Sequence, residues 1–273
     1  MSDFCLIDGR SDEYRKRYLA EVAAEVDLNA CFVISFPKSG RTWHRAMIGT
    51  YLAIAINRSI SEAFNLGSLI GHYNNRHVIY SHNGANFLDG LAPDDPLVAS
   101  FDLWRGRRVI FLIRDVRDVI VSAWHHARFG NSLTNAGLSA FIRHSTTGVD
   151  KVLHSYNRWF SAHSLATKTL IIHYEDMRVE PARALIDSIE FLFDTEAKVD
   201  VVAKAVEECQ FGVMQKRERE GFYKTAIATT LSSDIRAYKA RAGVVGGYHD
   251  HLSAEDLAYI ESRELLLGNP FSR

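Results

Sequence analysis

The sequence predicts an α/β domain with a mostly parallel sheet and helices on both faces. Three observations lead there. Short apolar runs rich in β-branched residues recur along the chain, each followed by a segment with helical periodicity. Two of these runs end in sharp polar corners, PKSG after CFVISF and RDVRD after RRVIFLI. No composition break, internal repeat or low-complexity tract divides the 273 residues, so one domain over 1–273 is expected.

The elements follow in order. Residues 11–27 place apolar side chains at 14, 18, 19, 22 and 26, which is helical spacing, with Ser11 as N-cap. CFVISF is a short buried strand closed by Pro37, and 42–56 is a helix with a wide apolar face. HVIYSH (77–82) is a second strand opening into NGAN, and LAPDDPL (91–97) is a turn or helix start. RRVIFLIRD (107–115) is the strongest strand signal, and DVIVSAWHHA is its following helix. Residues 129–150, rich in Gly, Ser, Thr and Asn, are expected to form mobile loops. VLHSYNRWFSAHS is helical, TLIIHYED (169–176) is a fourth strand, and Pro181 takes the first position of another helix. Beyond 200 the pattern is helical, then irregular and basic from about 215 to 247.

Composition narrows the function. The chain is 47% apolar and 24% charged, with a net charge of −1, so it offers no basic field for nucleic acid. Local clusters at Arg105–Arg108, Arg114–Arg117 and Lys216–Arg219 suit one small anionic ligand better than a polyanion. Cys5, Cys31 and Cys209 have no metal-ligand spacing and suggest a reducing compartment. The longest apolar run, AMIGTYLAIAI, falls short of the roughly 20 residues that span a bilayer. With no secretory pattern at its start, the chain is expected to be cytoplasmic. His125 and His126 are adjacent and would point apart on a helix, so no metal site is expected there.

The chemistry concentrates at the corners. A loop leaving a strand and entering a helix presents unpaired N–H groups and a positive helix end. In FPKSGRTW, Gly40 allows close backbone approach, Lys38 brings a mobile charge, and Ser39 and Thr42 bring hydroxyls. The order is not that of a Walker A loop, because the lysine precedes the glycine. A phosphate or sulfate ester is the expected ligand. Arg114, at the end of the third strand, is placed to fork onto a second anion, with Ser122 further along. RAGVVGGYHDHLS holds Arg241 and three glycines in a loop suited to folding over a ligand.

These blocks resemble the cytosolic-type sulfotransferases, which use 3′-phosphoadenosine 5′-phosphosulfate (PAPS). FPKSGRTW is similar to the family's Tyr-Pro-Lys-Ser-Gly-Thr-Thr-Trp, and IRDVRDVIVS to Arg-Asn-Pro-Arg-Asp-x-x-x-Ser. IIHYEDMRVEP and RAGVVGGYHDHLS resemble two later family segments, and the four blocks stand in family order over 32–253. The resemblance implies a P-loop-like nucleotide-binding core over about 32–200 and a donor-covering loop within 200–253. It assigns Lys38, Ser39, Gly40, Arg41, Thr42 and Trp43 to the 5′-phosphosulfate side. Arg114 and Ser122 fall on the 3′-phosphate, joined by Arg241, Ala242 and Gly243, while Trp43, Tyr174 and Phe211 face the adenine. The family's base, in Lys-Thr-His, falls on His82 in Tyr80-Ser81-His82. Lys38 and His82 are then the catalytic pair for in-line sulfuryl transfer to a hydroxyl or amine, with no metal and with PAP as product.

The chain departs from the pattern at four places. Tyr80 replaces the lysine of Lys-Thr-His, Arg41 a threonine, and Ala242 a lysine. The family's dimerisation motif finds no match at His249, Ser253, Ala254 and Ala258. A nucleotide-dependent kinase and a non-catalytic nucleotide-binding homologue stay open as alternatives. The acceptor is expected to be a small molecule, glycan or lipid, met by loops in 59–90, 129–150 and 215–245. Asn74, Asn75, Asn83 and Asn86 beside Phe64 and Phe87 are the candidate contacts.

Overall fold

The structure is a computed structural model describing residues 29–74, 76–223 and 243–272, with Asp12, Arg15 and Lys16. Those three are the described part of the expected helix at 11–27; the rest of it, Cys5 and Asn75 lie outside the described residues. Arg15 forms an ion pair with Asp95.

Four strands form one sheet: β1 (Cys31–Ser35), β2 (Val78–Ser81), β3 (Arg108–Ile113) and β4 (Lys168–His173). Their order is β2-β1-β3-β4, and every neighbouring pair is parallel. The central strands are the most apolar because both of their faces are covered: β1 is buried throughout and β3 everywhere but Arg108.

Successive side chains leave a strand on opposite faces, so the sheet has two cores. Phe32 and Ile34 of β1 join Val109, Phe111 and Ile113 of β3 on one face. There they meet α3 (Val116–His125) and α5 (Val149–Ala162). Cys31, Val33, Ile110 and Leu112 face the other way. There they pack on α1 (Arg41–Ala55), α7 (Pro181–Phe193) and α8 (Val199–Glu208). Further α-helices among the described residues are α2 (Leu66–Tyr73), α4 (Leu138–Arg143), α6 (Tyr174–Val179), α9 (Phe211–Glu220) and α10 (Ala254–Leu267). Among the described residues no helix is long and apolar enough to cross a membrane.

Residues 129–150 are only in part the loops their composition suggests: 131–137 and 144–148 are irregular. The segment also includes α4, whose Phe141 and Ile142 are buried. Ser139 and Arg143 of α4 both bond Asp256 of α10, and Thr147 Oγ1 donates to Phe141 O at 3.3 Å. Thr134 and Thr147 are buried, while Asn131, Ser132, Asn135 and Ser145 are exposed.

Two buried polar devices fix the elements around the site. His44 of α1 is fully buried between β2 and α7. Ser188 Oγ donates to Ala184 O (2.7 Å), so it accepts from His44 Nε2 (2.9 Å); His44 Nδ1 then accepts from the Tyr80 hydroxyl (2.9 Å). Lys151 of α5 is likewise fully buried, donating to Asp89 and to Leu91 O (2.8 Å). It anchors the loop that follows β2. Burial pushes the Lys151 pKa down and the Asp89 pKa up, and their mutual attraction opposes both shifts.

Replacing Lys151 by alanine strands the Asp89 charge. The expected loss is about 3–5 kcal/mol in denaturant unfolding, and less for the Lys151→Met, Asp89→Leu double variant. Burial also pushes the His44 pKa down to about 3. The unfolded chain therefore takes up a proton first, and stability falls as pH drops from about 6.5 toward 3. In His44→Asn the melting temperature should vary less with pH across that window, whatever its value at pH 7.

Candidate active site

The site begins where the chain leaves β1. β1 connects to β2 on one side of the sheet and β3 to β4 on the other, so a crevice opens at the carboxyl ends of β1 and β3. At the corner Ser39 N donates to Phe36 O at 3.3 Å. Lys38 takes φ 76° and Gly40 φ 88°, both in the left-handed region. A Cβ at Gly40 would stand 2.6 Å from the Tyr174 ring, so the corner lies flat against the start of α6. Gly40 caps α1 without a side-chain hydrogen bond, and no acidic residue stands in the first turn. The positive end of a 15-residue helix thus opens onto the crevice unneutralised.

Arg114 joins the two corners. Its Nη1 donates to Lys38 O (3.1 Å), and its Nη2 donates to Val244 O (3.1 Å) and pairs with Asp118 (3.4 Å). The guanidinium lies 4.3 Å from the centre of the Tyr174 ring. A guanidinium has five N–H donors, so two remain, and buried Nε has no partner. The expected open fork is thus partly occupied by main-chain carbonyls. Tyr156 fixes the end of β3 by donating to Arg114 O (2.9 Å) and accepting from Arg114 N (3.2 Å). Glu175 accepts from Asp115 N at 3.0 Å.

His82 follows β2, and its Nδ1 lies 2.8 Å from Ser35 O. A carbonyl can only accept, so Nδ1 carries the proton and Nε2 keeps its lone pair. Burial, then the Arg41 charge, hold the His82 pKa well below its usual value; Lys38 and His126 push the same way, against the Ser35 hydrogen bond. The imidazole is a neutral acceptor at pH 7.

Aromatic walls complete the crevice. Trp43 is oriented by its indole N–H, which donates to Cys209 O (2.8 Å), and it meets Tyr174 edge-on at 6.2 Å. Arg178 lies 5.3 Å from the centre of the Trp43 ring. Gly243, at φ 63°, sits so close to Phe211 that a Cβ would come within 2.5 Å of its ring. The late segment is tied down by Asp118, which is 3% exposed. Its Oδ2 accepts from Gly246 N (2.9 Å) and its Oδ1 from Tyr248 N (3.1 Å).

Most sequence-predicted residues meet on the walls of one cavity of about 580 Å³. Lys38, Gly40, Arg41, Thr42 and Trp43 come from the first corner; Arg114, Ser122 and Tyr174 come from the second side. His82, Phe211 and Gly243 complete the set. Ser39 does not reach the cavity: its side chain is fully buried beneath the corner, beside the Tyr156 hydroxyl. Arg241 and Ala242 lie outside the described residues. Of the expected acceptor contacts, Asn86 and Phe87 line the cavity. Asn74 bonds Phe193 O, and Phe64 is core. Asn83 is a buried hub whose Oδ1 accepts from Trp104 (3.0 Å) and Trp159 (2.9 Å). No residue of 129–150 contributes a wall. His125 and His126 do diverge: His125 packs on Trp124 and His251, and His126 faces the cavity beside Phe87.

Sequence reasoning missed Asp118, Arg178, Tyr223 and Glu218, all on the cavity wall. Asp118 alone left a signal, as an acid directly ahead of the apolar run VIV in VRDVIVSAW.

Relatives share this frame. A "Sulfotransferase domain" family model matches residues 28–263. "Cytosolic sulfotransferase 1" of Arabidopsis thaliana is 24% identical, over 81% of this chain and 73% of the relative. "Sulfotransferase 1E1" of Rattus norvegicus is 23% identical, over 80% and 76%. Among solved structures, mouse sulfotransferase SULT7A1 complexed with PAP superposes with a TM-score of 0.64 at 17% identity. That match covers 96% of this chain and 91% of the mouse chain. With the family model spanning nearly the whole described core, the chain belongs to the sulfotransferase-domain family.

Proposed function

We propose that this sulfotransferase moves the sulfuryl group of PAPS onto a hydroxyl or amine of a small molecule, with His82 as base. One observation carries the reading. Two cationic stations, the α1 corner and Arg114, share a single cavity with a histidine whose lone pair is fixed on Nε2. The unpartnered Nε of Arg114 and the uncapped end of α1 fit a ligand with negative charge at both of its ends.

In this reading Lys38, Gly40 and Thr42 hold the 5′-phosphosulfate, with Arg41 toward its sulfate end, and Arg114 and Ser122 hold the 3′-phosphate. Trp43, Tyr174 and Phe211 border the base, with Gly243 closing over it. PAPS supplies an activated sulfuryl group. His82 takes the acceptor proton on Nε2, Ser35 O keeps the ring oriented, and Lys38 steadies negative charge at the corner. Phe87, Leu88, Val121 and Met214 give the cavity apolar walls, which supports a small organic acceptor over a glycan. Cys31 and Cys209 are buried free thiols, consistent with the proposed cytoplasmic location.

Calorimetry tests the donor. PAP should bind at least ~100-fold tighter than ADP, because only PAP engages the second station; equal affinities for PAP, ADP and ATP would favour a kinase-like site. A labelled-donor screen of phenols, alcohols, amines, sugars and lipids identifies the acceptor.

His82→Ala should lower kcat by about 10²–10⁴ while leaving the PAP dissociation constant within a few-fold. Retention of full rate removes His82 as the base. Because the folded protein holds this imidazole neutral below its usual pKa, kcat/KM should persist as pH falls through about 6.5 and decline only at lower pH. An acid limb centred above that value contradicts the assignment.

A further inference from the structure

Arg41 stands apart from the other cations of the cavity. It is the first residue of α1 and opens onto the crevice. Among the described residues no carboxylate, carbonyl or hydroxyl holds its guanidinium, and its charged neighbour is another arginine, Arg45. The neighbouring arginines each have a contact. Arg114 is braced on two carbonyls, and Arg178 lies over Trp43. Arg45 donates to Phe64 O at 3.0 Å and lies 5.5 Å from the centre of the Tyr80 ring. Burial and the Arg45 charge push the Arg41 pKa down to about 10, so the fold holds this cation at a cost and with no counter-ion among the described residues.

Two further observations say where its charge acts. Arg41 and His82 line the same cavity, and the Arg41 charge acts on the imidazole, lowering its pKa more than Lys38 does. The strand carrying the base brings no charge of its own. Tyr80 is turned away from the cavity, its hydroxyl donated to His44 in the chain that ends on Ser188.

We propose that Arg41 is a catalytic residue that grips the sulfuryl group during transfer, supplying from the start of α1 the positive charge that β2 does not bring to His82. The assignment rests on the sulfuryl-transfer reading above. In the step concerned, the acceptor oxygen or nitrogen bonds to sulfur as the bond from sulfur to the 5′-phosphate oxygen breaks. The electron pair leaves with that phosphate oxygen, and the acceptor's proton moves to His82 Nε2. The non-bridging sulfuryl oxygens stay negative throughout, and a planar guanidinium can hold two of them at once. PAP lacks those oxygens, so Arg41 contributes to turnover far more than to product binding.

The test compares wild type, Arg41→Gln and Arg41→Lys for kcat, both KM values, the pH profile, PAP binding by calorimetry and thermal unfolding. Arg41→Gln should lose about 10²–10³-fold in kcat, while its PAP dissociation constant stays within about threefold. Its acid limb should move toward about 6.5, because a charge repelling the His82 proton is gone. Arg41→Lys, which keeps the charge but not the fork, should recover part of kcat. Neither variant should melt below wild type, since a desolvated charge with no counter-ion among the described residues has been removed or made easier to hydrate. The proposal is overturned by a kcat within about threefold of wild type, by a loss confined to PAP affinity, or by a rise confined to the acceptor KM. A wild-type protein that gives no heat with PAP overturns the underlying donor reading, and this assignment with it.

Discussion

One guanidinium holds the two halves of the site in register. β1 and β3 pair in parallel with Ser35 opposite Leu112, so their carboxyl ends stand side by side. Arg114 spans the gap, reaching the carbonyl of Lys38 in one corner and that of Val244 in the covering segment. Charge-assisted bonds of this kind contribute about 1.5–3 kcal/mol each. The Tyr174 ring beneath the guanidinium also supports Gly40, so a single contact region fixes the height of both corners. The left-handed Lys38 and Gly40 conformations are strained or glycine-dependent, and they persist because this neighbourhood over-determines them.

The charge distribution follows from that frame. Three carboxylates on the Arg114 side are committed to backbone or to arginine: Glu175 to Asp115 N, Asp115 to Arg117, Asp118 to two amides and Arg114. The corner itself is left with cations and an uncapped helix end. Such an arrangement costs stability when empty and gives it back on anion binding. Preorganisation of this sort leaves little rearrangement for the moment of transfer.

Much of the fold could be read from the chain because its central strands are apolar on both faces, and so appear as unbroken runs rather than alternations. Pro181 marked the start of α7 by its fixed φ and missing donor. Other features depend on contacts far apart in sequence. Phe141 and Ile142 were hidden among polar neighbours, of which Ser139 and Arg143 on the same short helix are spent on α10. Ser39 reads as an anion donor by its place in the motif, but the turn at Lys38 sends its hydroxyl inward. Asp118, four residues after an arginine, looks like half of a surface pair. Only the covering segment, 128 residues away at Gly246, makes it a buried acceptor. Tyr80 looked like a loss of charge; its hydroxyl is in fact a link between β2, α1 and α7.

In the proposed reading the carboxylate of Asp118 also bears on release. It lies 3.4 Å from Arg114, the arginine that an incoming anion would share, and accepts from two peptide amides. Any phosphate settling there feels repulsion as well as attraction, and the balance caps how firmly a spent nucleotide can be kept. Turnover needs such a cap: a seat built from cations alone would hold its product too long for the next donor to enter.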